Sequence, residues 1–514
     1  MAVILFVEPI SKNTGMYVPA YPLPLMEIAS FVKAQFPDTD IKVVSLAVDY
    51  GIPLTREGRG RIYQAFLKDL CELKPIGVGI SCTAIAQAEE AIYLIEMIKQ
   101  HQPKTFVFLG GYFPTLYYEE ILSRTAAVDA IVVGEGEIPA SCIIERLAEN
   151  RDPRDADIPK MVWSENGKIH WSKTRERFDL RKKEILNLDL LRSPHSYEIL
   201  PYSFSRGCPY RCTFCMEGYI RPERKEVLPE MIKQDLTQLV LKGGARTLLV
   251  SDALFKSFDL LASLKGLDLK VNFETRSDVM VANQLSRIAD QCGIIAIGFE
   301  SASYNTLMRM NKVRDKAHYE KYIANVVAIF REAAKNKIPM MVFMIAGFPG
   351  DTEEDLKESL HFAKELSKYG GEGGHVFKIG ECQVYPKTKL QALADSLPGV
   401  AYDKEGVFGL NVVKKPSADL DFETVLRYMK AIFGLSNQTA RLQAALLHLM
   451  PFFRLPVQAL SDELLPDSCF RAPDRSVLDV RKESLSSFRE AVPKLMKKYQ
   501  PLRGKERSTR ILPF

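Results

Sequence analysis

The sequence lacks an excess of charge of either sign and lacks any hydrophobic run long enough to cross a bilayer. Its 69 lysines and arginines nearly balance 64 aspartates and glutamates, which does not favour nucleic acid as a partner. Apolar runs such as residues 338–348 fall short of the roughly 20 residues that a membrane span needs. The first residues also lack the basic segment of a signal peptide. We therefore expect a cytoplasmic protein with no membrane span and no nucleic-acid partner.

The cysteines are too scattered for a disulfide framework, with nine in 514 residues. Three of them, Cys208, Cys212 and Cys215, lie within one short segment, and that concentration needs an explanation of its own. The other six stand singly among apolar neighbours, as small buried side chains do: Cys71, Cys82, Cys142, Cys292, Cys382 and Cys469.

The first 150 residues alternate strand-length apolar runs with helical periodicity. Strands buried on both faces and joined by helical crossovers form a doubly wound parallel sheet. We expect residues 1–150 to form a Rossmann-like α/β domain that binds its ligand at the carboxyl ends of the strands. The runs lie at residues 2–8, 41–47, 76–82, 105–110 and 128–133.

Strand–helix alternation returns over residues 201–395, after a linker at 151–200 that contains a hairpin turning at Asn166–Gly167. Repeated βα units predict a partial (β/α)6 barrel with its active site at the strand C-termini. Its strand-length runs are residues 247–252, 270–274, 294–300, 339–346 and 376–384. Residues 396–514 are expected to be a small, mostly α-helical unit, with helices at 422–445 and 484–499 and a basic tail at 494–510.

The cysteine segment reads Cys208-Pro-Tyr-Arg-Cys212-Thr-Phe-Cys215. Three thiolates in a short loop can hold three irons of a cubane cluster, which leaves the fourth iron open to a small molecule. Structural zinc sites have four protein ligands, and no fourth cysteine or histidine lies nearby in the sequence. A zinc site and three unrelated buried cysteines are the alternatives. The spacing therefore favours a reactive iron–sulfur cluster.

This spacing resembles the signature of the radical S-adenosylmethionine (SAM) superfamily. Later segments resemble its branch with a cobalamin domain, the class B methyltransferase-like enzymes. In the last of these segments Lys387 stands where the family pattern has glycine, which leaves the shape of that loop open. The segments are residues 273–276, 297–301, 345–352 and 384–388, and the resemblance spans roughly residues 201–390.

The resemblance implies that the three cysteines hold a [4Fe-4S] cluster and that SAM binds beside it. Glu300 would bind ribose hydroxyls or the sulfonium region, and the glycines of one loop would let the backbone approach SAM closely. From the residues alone, Glu300 could also be an ion-paired carboxylate and the glycines simple turn residues. The implied cofactor-binding residues are Ser251 and Asp252, which replace a Gly-Gly-Glu stretch, with Glu274, Arg276, Glu300, Gly347, Pro349 and Gly350.

Residues 1–150 resemble the cobalamin-binding domain of the same branch. No histidine precedes His101, so the cobalt would lack the lower histidine ligand that many cobalamin domains supply from the loop after their first strand. A nucleotide-binding or vestigial doubly wound domain is the alternative. The implied cobalamin contacts are Ser81, Thr83, Gly110, Gly111, Gly134 and Glu135.

The implied activity is methylation of an unactivated carbon of a small-molecule or natural-product substrate through a 5′-deoxyadenosyl radical. An external electron donor such as flavodoxin or ferredoxin would be needed. One alternative keeps the cofactors but performs a cyclisation, oxidation or ring rearrangement without net methyl transfer. Another is a methylthiotransferase, which would want three cysteines at N-terminal strand ends, where only Cys82 is well placed. A non-enzymatic sensor would leave the incomplete cluster without a use.

Overall fold

The computed structural model describes residues 2–10, 20–51, 56–84, 87–174, 177–193, 197, 200–243, 247–267, 269–404 and 411–437. The predicted helix at 484–499, the end of the predicted helix at 422–445 and the basic tail at 494–510 lie outside these ranges. Within the ranges, no helix combines the length and the apolar character needed to cross a membrane.

The first sheet has seven strands: β1 (Val3–Glu8), β2 (Asp40–Ser45), β3 (Gly77–Ser81), β4 (Phe106–Gly110), β5 (Ala130–Val132), β6 (Met161–Glu165) and β7 (Lys168–Trp171). They lie in the order β2-β1-β3-β4-β5-β6-β7, and β1 to β5 are parallel. The helices here are α1 (Leu23–Gln35), α2 (Leu46–Asp49), α3 (Arg56–Leu73), α4 (Ala88–His101), α5 (Tyr112–Arg124) and α6 (Glu137–Ala148).

Helices cover both faces of this sheet, and successive side chains of β1 show why. Ile4 and Phe6 join a core that includes residues of α1 and α6, whereas Leu5 and Val7 join a second core formed with α3, α4 and α5. Because side chains alternate across a strand, a strand buried on both faces must be apolar throughout. The continuous apolar runs of the sequence follow from this arrangement.

The hairpin that the sequence predicts at Asn166–Gly167 is formed by β6 and β7. Both turn residues have positive φ, 50° and 74°, as the type I′ hairpin turn requires. Strand β6 pairs antiparallel with β5, so the hairpin extends the first sheet. Part of the segment expected to be a linker, 151–200, is therefore built into the first sheet. Short 3-10 turns lie nearby at Pro153–Asp155, Leu180–Lys182 and Leu188–Leu190.

The second large sheet has six strands in the order β15-β14-β13-β12-β11-β8, all parallel. They are β8 (Leu200–Tyr202), β11 (Thr247–Val250), β12 (Lys270–Arg276), β13 (Cys292–Glu300), β14 (Met340–Ala346) and β15 (His375–Glu381). A short pair, β9 (Ser205–Arg206) and β10 (Lys225–Glu226), is inserted after β8. Since β8 and β15 are opposite edges, the barrel is open, and the predicted α/β fold with a partial barrel is confirmed.

Most helices of this domain lie between successive strands of the six-stranded sheet. The helices are α7 (Glu217–Ile220), α8 (Pro229–Leu241), α9 (Phe258–Ser263), α10 (Leu285–Ile288), α11 (Tyr304–Arg309), α12 (Lys316–Lys335), α13 (Glu353–Ser367) and α14 (Lys389–Ser396), with a 3-10 turn at Ala282–Gln284. A hairpin, β16 (Ala401–Lys404) and β17 (Asn411–Lys415), precedes α15 (Phe422–Phe433). Val425 of α15 packs against Ala346 and Leu356, which joins this last described segment to the barrel.

A buried ion triad joins the two domains. Arg206 of β9 contacts Glu27 of α1 at 2.8 Å and Glu137 of α6 at 2.6 Å. All three side chains are at most 9% exposed. Charges removed from water are tolerated only when they are paired. The triad therefore fixes how the barrel meets the first domain.

Replacing Arg206 with Met should destabilise the protein by about 3–5 kcal/mol, because Glu27 and Glu137 would be left as unpaired buried carboxylates. Urea unfolding with two-domain analysis would measure this. The control is Arg154→Met, since Arg154 pairs with Asp152 on the surface at 2.7 Å and should cost less than about 1 kcal/mol. Equal effects of the two substitutions would contradict the structural role of the triad.

Candidate functional site

The three clustered cysteines lie in the loop between β9 and β10, which begins at the carboxyl end of the first barrel strands. Cys208 is buried, and Cys212 and Cys215 are partly buried. Gly207 opens the loop with φ +87°, and a Cβ there would lie 2.0 Å from the carbonyl oxygen of Glu223. Only glycine fits this position, because both the conformation and the close approach exclude a side chain.

Backbone hydrogen bonds hold the middle of this loop against the rest of the barrel. The Thr213 amide donates to the carbonyl of Met310 at 3.0 Å, and the Leu390 amide donates to the carbonyl of Thr213 at 2.9 Å. Within the loop the Cys215 amide donates to the carbonyl of Cys212 at 3.1 Å. The cysteines are thus held by segments that follow β13 and β15.

That Cys208, Cys212 and Cys215 hold a cubane cluster stays a prediction from their spacing. Among the residues that the structure describes, no three histidine, cysteine or acidic side chains converge as ligands of one metal ion. In a cubane cluster each thiolate binds a different iron, so the ligands stand farther apart than those of one ion. Burial raises the pKa of the Cys215 thiol to about 12 and raises that of Cys208. Iron binding must therefore displace protons from these thiols.

Arg276 contacts the cysteine loop directly. One Nη of its guanidinium lies 3.2 Å from the sulfur of Cys212, and the guanidinium stacks over the ring of Tyr210 at 3.9 Å. Asp278 holds it through two hydrogen bonds of 2.8 Å. A fixed cation beside a thiolate stabilises the thiolate's negative charge. In the structure Arg276 thus contacts a proposed cluster ligand; contact with SAM stays a prediction.

Asp252 and Ser251 differ in what they contact. The buried Asp252 carboxylate accepts hydrogen bonds from the amides of Phe204 and Ser205, at 2.7 and 3.0 Å, and so holds the strand that leads into the cysteine loop. Burial raises its pKa to about 6. Ser251 is exposed and lines the cavity described below. The expected SAM contact through Ser251 stays a prediction.

Glu300 ends β13 in the left-handed conformation, with φ +73°, at a register shift against β14. Its carboxylate lies 3.0 Å from Nζ of Lys312. Burial disfavours the Lys312 charge, but Tyr322 and Glu300 keep the pKa of Lys312 above its usual range. Glu300 is thus an ion-paired carboxylate in this structure. Its role in binding SAM stays a prediction. Nearby, burial and the Glu300 charge raise the pKa of Glu274 to about 7.

The loop after β14 contains Gly347, Pro349 and Gly350, and both glycines have positive φ, 72° and 87°. A Cβ on Gly347 would contact Pro416 and Val425 at 3.1 to 3.2 Å. The Gly350 amide donates to the carbonyl of Pro416 at 2.7 Å. These glycines therefore form a tight turn that packs against the segment leading to α15. Their approach to SAM stays a prediction.

Lys387, which stands where the family pattern has glycine, adopts a left-handed conformation with φ +63°. Its ammonium lies 3.9 Å from the centre of the Tyr118 ring in the first domain. A cation over an aromatic face is attracted by the ring quadrupole. Lys387 thus lies in a left-handed turn and contacts the first domain through Tyr118.

The first-domain candidates lie at the carboxyl ends of β3, β4 and β5. Gly111 has φ +112°, and a Cβ there would lie 2.4 Å from the Cys82 carbonyl oxygen. The Thr115 hydroxyl donates to the Gly111 carbonyl at 2.7 Å and accepts from the Gly134 amide at 2.9 Å, which ties two of these turns together. The sheet brings together Ser81, Thr83, Gly110, Gly111, Gly134 and Glu135, as the parallel topology predicts.

A cavity of about 350 Å³ lies where the two domains meet. Tyr112 from the first domain lines it together with Cys215, Ser251 and Glu274 from the barrel. One wall carries Cys215 of the cysteine loop, and another carries Tyr112, which follows the Gly110–Gly111 turn. A cluster held by the loop and a ligand bound at that turn would therefore meet in this cavity.

A side-chain cluster that sequence reasoning missed crosses this junction. The Tyr112 hydroxyl donates to the Glu217 carboxylate at 2.6 Å. Arg221 donates to the same carboxylate at 2.8 and 3.1 Å, and its guanidinium lies 5.0 Å from the Tyr112 ring centre. The four-residue spacing of Glu217 and Arg221 could have predicted their ion pair, since such residues are neighbours on a helix. No sequence pattern indicates Tyr112 as a further partner.

Comparison with known proteins gives families for both domains. Residues 19–143 match the B12 binding domain, and residues 202–363 match the Radical SAM superfamily. An uncharacterized methyltransferase of Pyrococcus horikoshii is 26% identical over 67% of this chain and 73% of its own length. A tRNA-2-methylthio-N(6)-dimethylallyladenosine synthase of Endomicrobium trichonymphae is 22% identical over 58% and 68%.

Solved structures share the fold of the whole arrangement. The radical SAM methyltransferase TsrM of Kitasatospora setae, with cobalamin and a [4Fe-4S] cluster bound, has a TM-score of 0.65 at 14% identity, over 84% of this chain and 91% of its own. The cobalamin-dependent SAM radical enzyme OxsB, with aqua-cobalamin and SAM bound, has a TM-score of 0.61 at 16% identity, over 99% and 74%.

The fold and the site thus define a radical SAM enzyme. Ahead of its radical SAM domain the chain carries a domain that matches the B12 binding domain. The family expected from the cysteine spacing and the downstream segments is confirmed.

Replacing Gly207 with Ala should abolish iron binding, because the new Cβ would overlap the Glu223 carbonyl. Iron and sulfide analysis after anaerobic reconstitution measures the effect. The control is Gly167→Ala, since Gly167 also has positive φ, +74°, but has no atom within 4 Å of an added Cβ. The control should cost about 1–3 kcal/mol of backbone strain and keep its iron. Full iron content in Gly207→Ala would show that this close approach is dispensable.

Replacing Tyr112 with Phe should loosen the junction without removing the ring. Loss of a hydrogen bond to a carboxylate, about 1.5–3 kcal/mol, should raise amide hydrogen exchange of residues 112–117 and 217–221 together by roughly tenfold or more. Tyr118→Phe is the matched control, because the Tyr118 hydroxyl donates to exposed Glu119 on the same helix. Exchange that rises in only one of the two segments would argue against a link between the domains.

Proposed function

We propose that the protein is a cobalamin-dependent radical SAM methyltransferase that methylates an unactivated carbon of a small-molecule substrate. The observation that carries this proposal is the junction cavity, where Cys215 lies on one wall and Tyr112, next to the Gly110–Gly111 turn, lies on another. The relatives support it through the names methyltransferase and hopanoid C-3 methylase, the latter from Methylococcus capsulatus at 26% identity over 39% of this chain and 44% of its own length.

The chain's residues fit the three cofactors that this chemistry needs. Cys208, Cys212 and Cys215 would hold the cluster, with Arg276 stabilising the Cys212 thiolate from 3.2 Å. Ser251, exposed at the cavity, would donate to or accept from the amino acid end of SAM. When bound, the cluster, SAM and cobalamin would supply hydrogen abstraction and methyl transfer. The protein's share is to hold them at one cavity and to exclude water.

The first domain would hold the corrin at its strand ends. Gly110, Gly111 and Gly134 leave the backbone bare there, and two of them need left-handed φ, so a large flat ring could lie against the main chain. Ser81 and Thr83 add hydroxyls on the neighbouring strand end. Glu135 would accept hydrogen bonds from amide side groups of the ring. No histidine precedes His101 in the sequence, so we propose that cobalt has no protein histidine from the first strand loop.

A methylthiotransferase is the alternative favoured by some relatives, but the cysteines argue against it. Cys82 is buried after β3, Cys71 is exposed on α3, and Cys142 is partly buried on α6. Cys71 and Cys142 lie on helices that cover opposite faces of the first sheet. Among the described residues, these three cysteines are not grouped as ligands of one metal ion. Cyclisation, oxidation or rearrangement without methyl transfer remains the second candidate, since the same cavity would serve it.

The proposal includes an external one-electron donor such as flavodoxin or ferredoxin, because neither the thiolates nor the described side chains supply an electron at the potential required. We place the reaction in the cytoplasm, where reducing conditions keep thiols available as iron ligands.

The test uses the full chain, purified and reconstituted without oxygen. Reduced protein with SAM should release 5′-deoxyadenosine, and with a small-molecule extract and methyl-labelled SAM should give a labelled product. Cys212→Ala should reduce both signals to background. Cys71→Ala, an exposed cysteine outside the site, should leave both unchanged.

Each outcome separates the candidates. Deoxyadenosine with unlabelled new products would favour cyclisation or oxidation, and a product carrying both sulfur and labelled methyl would favour methylthiolation. A wild-type protein that binds no cluster, or a Cys212→Ala variant with undiminished deoxyadenosine release, would sink the proposal.

A further inference from the structure

Helix α11 lies between the cysteine loop and the loop after β14, residues 347–351, which we name the glycine loop. At the carboxyl end of α11, the carbonyls of Arg309 and Met310 accept hydrogen bonds from the hydroxyl and the amide of Thr213, at 3.1 and 3.0 Å. Thr213 belongs to the cysteine loop. This end of the helix is therefore fixed to the loop that carries the proposed cluster ligands.

The side chains of the same helix bind the glycine loop. One Nη of Arg309 donates to the Asp351 carboxylate at 2.7 Å and to the Thr306 hydroxyl at 3.1 Å. The Thr306 hydroxyl donates to the same carboxylate oxygen at 2.6 Å. The other oxygen of Asp351 accepts from the amide of Phe348 at 2.9 Å, within the loop. Asp351 and Thr306 are each 1% exposed, so these hydrogen bonds are shielded from water and strengthened by it.

Arg309 also packs directly against the turn of the glycine loop. A Cβ on Gly350 would lie 3.2 Å from Cδ and Nε of Arg309. The Arg309 guanidinium also lies 3.7 Å from Asp355, in the first turn of α13. A helix of six residues thus connects two loops, because its backbone holds the cysteine loop while its side chains hold the glycine loop.

We propose that Arg309 is a positioning residue for SAM, which sets through Asp351 where the glycine loop stands relative to the cysteine loop. The inference rests on the proposed function, in which SAM reaches from the cluster to the glycine loop. A ligand that bridges two loops binds more tightly when the loops are already ordered at the correct spacing. Arg309 acts through Asp351 and needs no contact with SAM or with the cluster.

The charge of Asp351 provides a second way to observe this role. Burial raises the pKa of Asp351 to about 6, the Thr306 hydrogen bond and the Arg309 charge lower it, and the Asp355 charge raises it. The buried Cys382 thiol also interacts with Asp351, but burial raises its pKa well above the usual value, so it stays neutral. Asp351 is therefore ionised above about pH 6. Its hydrogen bonds from Arg309 and Thr306 weaken as the pH falls through that value.

The test measures SAM binding to the full chain after anaerobic reconstitution. Arg309→Met should raise the SAM dissociation constant roughly tenfold, as expected for the loss of a hydrogen bond between charged groups. In 5′-deoxyadenosine release, the KM for SAM should rise by a similar factor while kcat changes by less than about twofold, since the lost interaction affects binding alone.

Two further variants serve as rescue and control. Because a single Nη of Arg309 makes both hydrogen bonds, the ammonium of Arg309→Lys can replace it, and this variant should keep most of the SAM affinity. Arg331→Met is the matched control, since exposed Arg331 donates to the Tyr369 hydroxyl at 2.7 Å, away from both loops. It should bind SAM as the wild type does.

The pH profile separates positioning from a general loss of stability. In the wild type, SAM affinity should fall as the pH drops through about 6, because Asp351 becomes protonated there. In Arg309→Met the fall should begin at a higher pH, because the cation that lowers the Asp351 pKa is gone. Asp351→Asn has no carboxylate to titrate, so its weaker SAM binding should show no fall near pH 6.

Iron and sulfide content without SAM shows whether each variant still holds its cluster. If Arg309→Met does not, Asp351→Asn carries the same comparison. Wild-type SAM affinity in the variants that hold a cluster, or an acid fall at the same pH in Arg309→Met and wild type, would overturn the inference. Arg309→Lys as weak as Arg309→Met would also contradict it. A wild-type protein that holds its cluster but binds no SAM would instead count against the proposed function.

Discussion

The buried contact of Arg206 with Glu27 and Glu137 is the interaction on which the rest of the site depends. Arg206 is the last residue of β9 and a member of the ion triad. Gly207 and Cys208 follow it directly, so the cysteine loop begins at the triad. The two carboxylates come from α1 and α6 of the first domain. Because neither side can leave the triad without exposing an unpaired buried charge, the cysteine loop is fixed relative to both sheets.

From that fixed point the two parallel sheets present their carboxyl ends to one junction. Asp252 holds the strand before the cysteines through the amides of Phe204 and Ser205, and the Tyr112–Glu217 hydrogen bond closes the opposite side. Parallel strands gather their loops at one edge, and here two such edges meet. Residues of both domains therefore line one cavity, which neither domain encloses alone.

Several features could be predicted because they depend on local rules. The hairpin at Asn166–Gly167 follows from the conformation that both turn residues tolerate, and the alternating cores around β1 follow from apolar runs of strand length. Others could not. Lys387 gave no sign that it would keep a glycine conformation and reach Tyr118, and Glu300 gave no sign that Lys312 would be its partner. Lys387 and Tyr118 come from distant segments, and Glu300 and Lys312 are separated by α11. A single-sequence pattern gives neither the distance nor the path of the chain between such residues.

The sequence by itself determined the chemistry available: three thiols at a fixed spacing, glycines where the chain must turn tightly, and two sets of βα units. These are short-range properties, set by the conformations and ligand preferences of neighbouring residues. Only the tertiary structure decided that β6 and β7 extend the first sheet, that Tyr112 meets Glu217, and that Arg309 meets Asp351. The physical reason is that packing and paired charge, which act across the whole chain, select which of these local pieces come together.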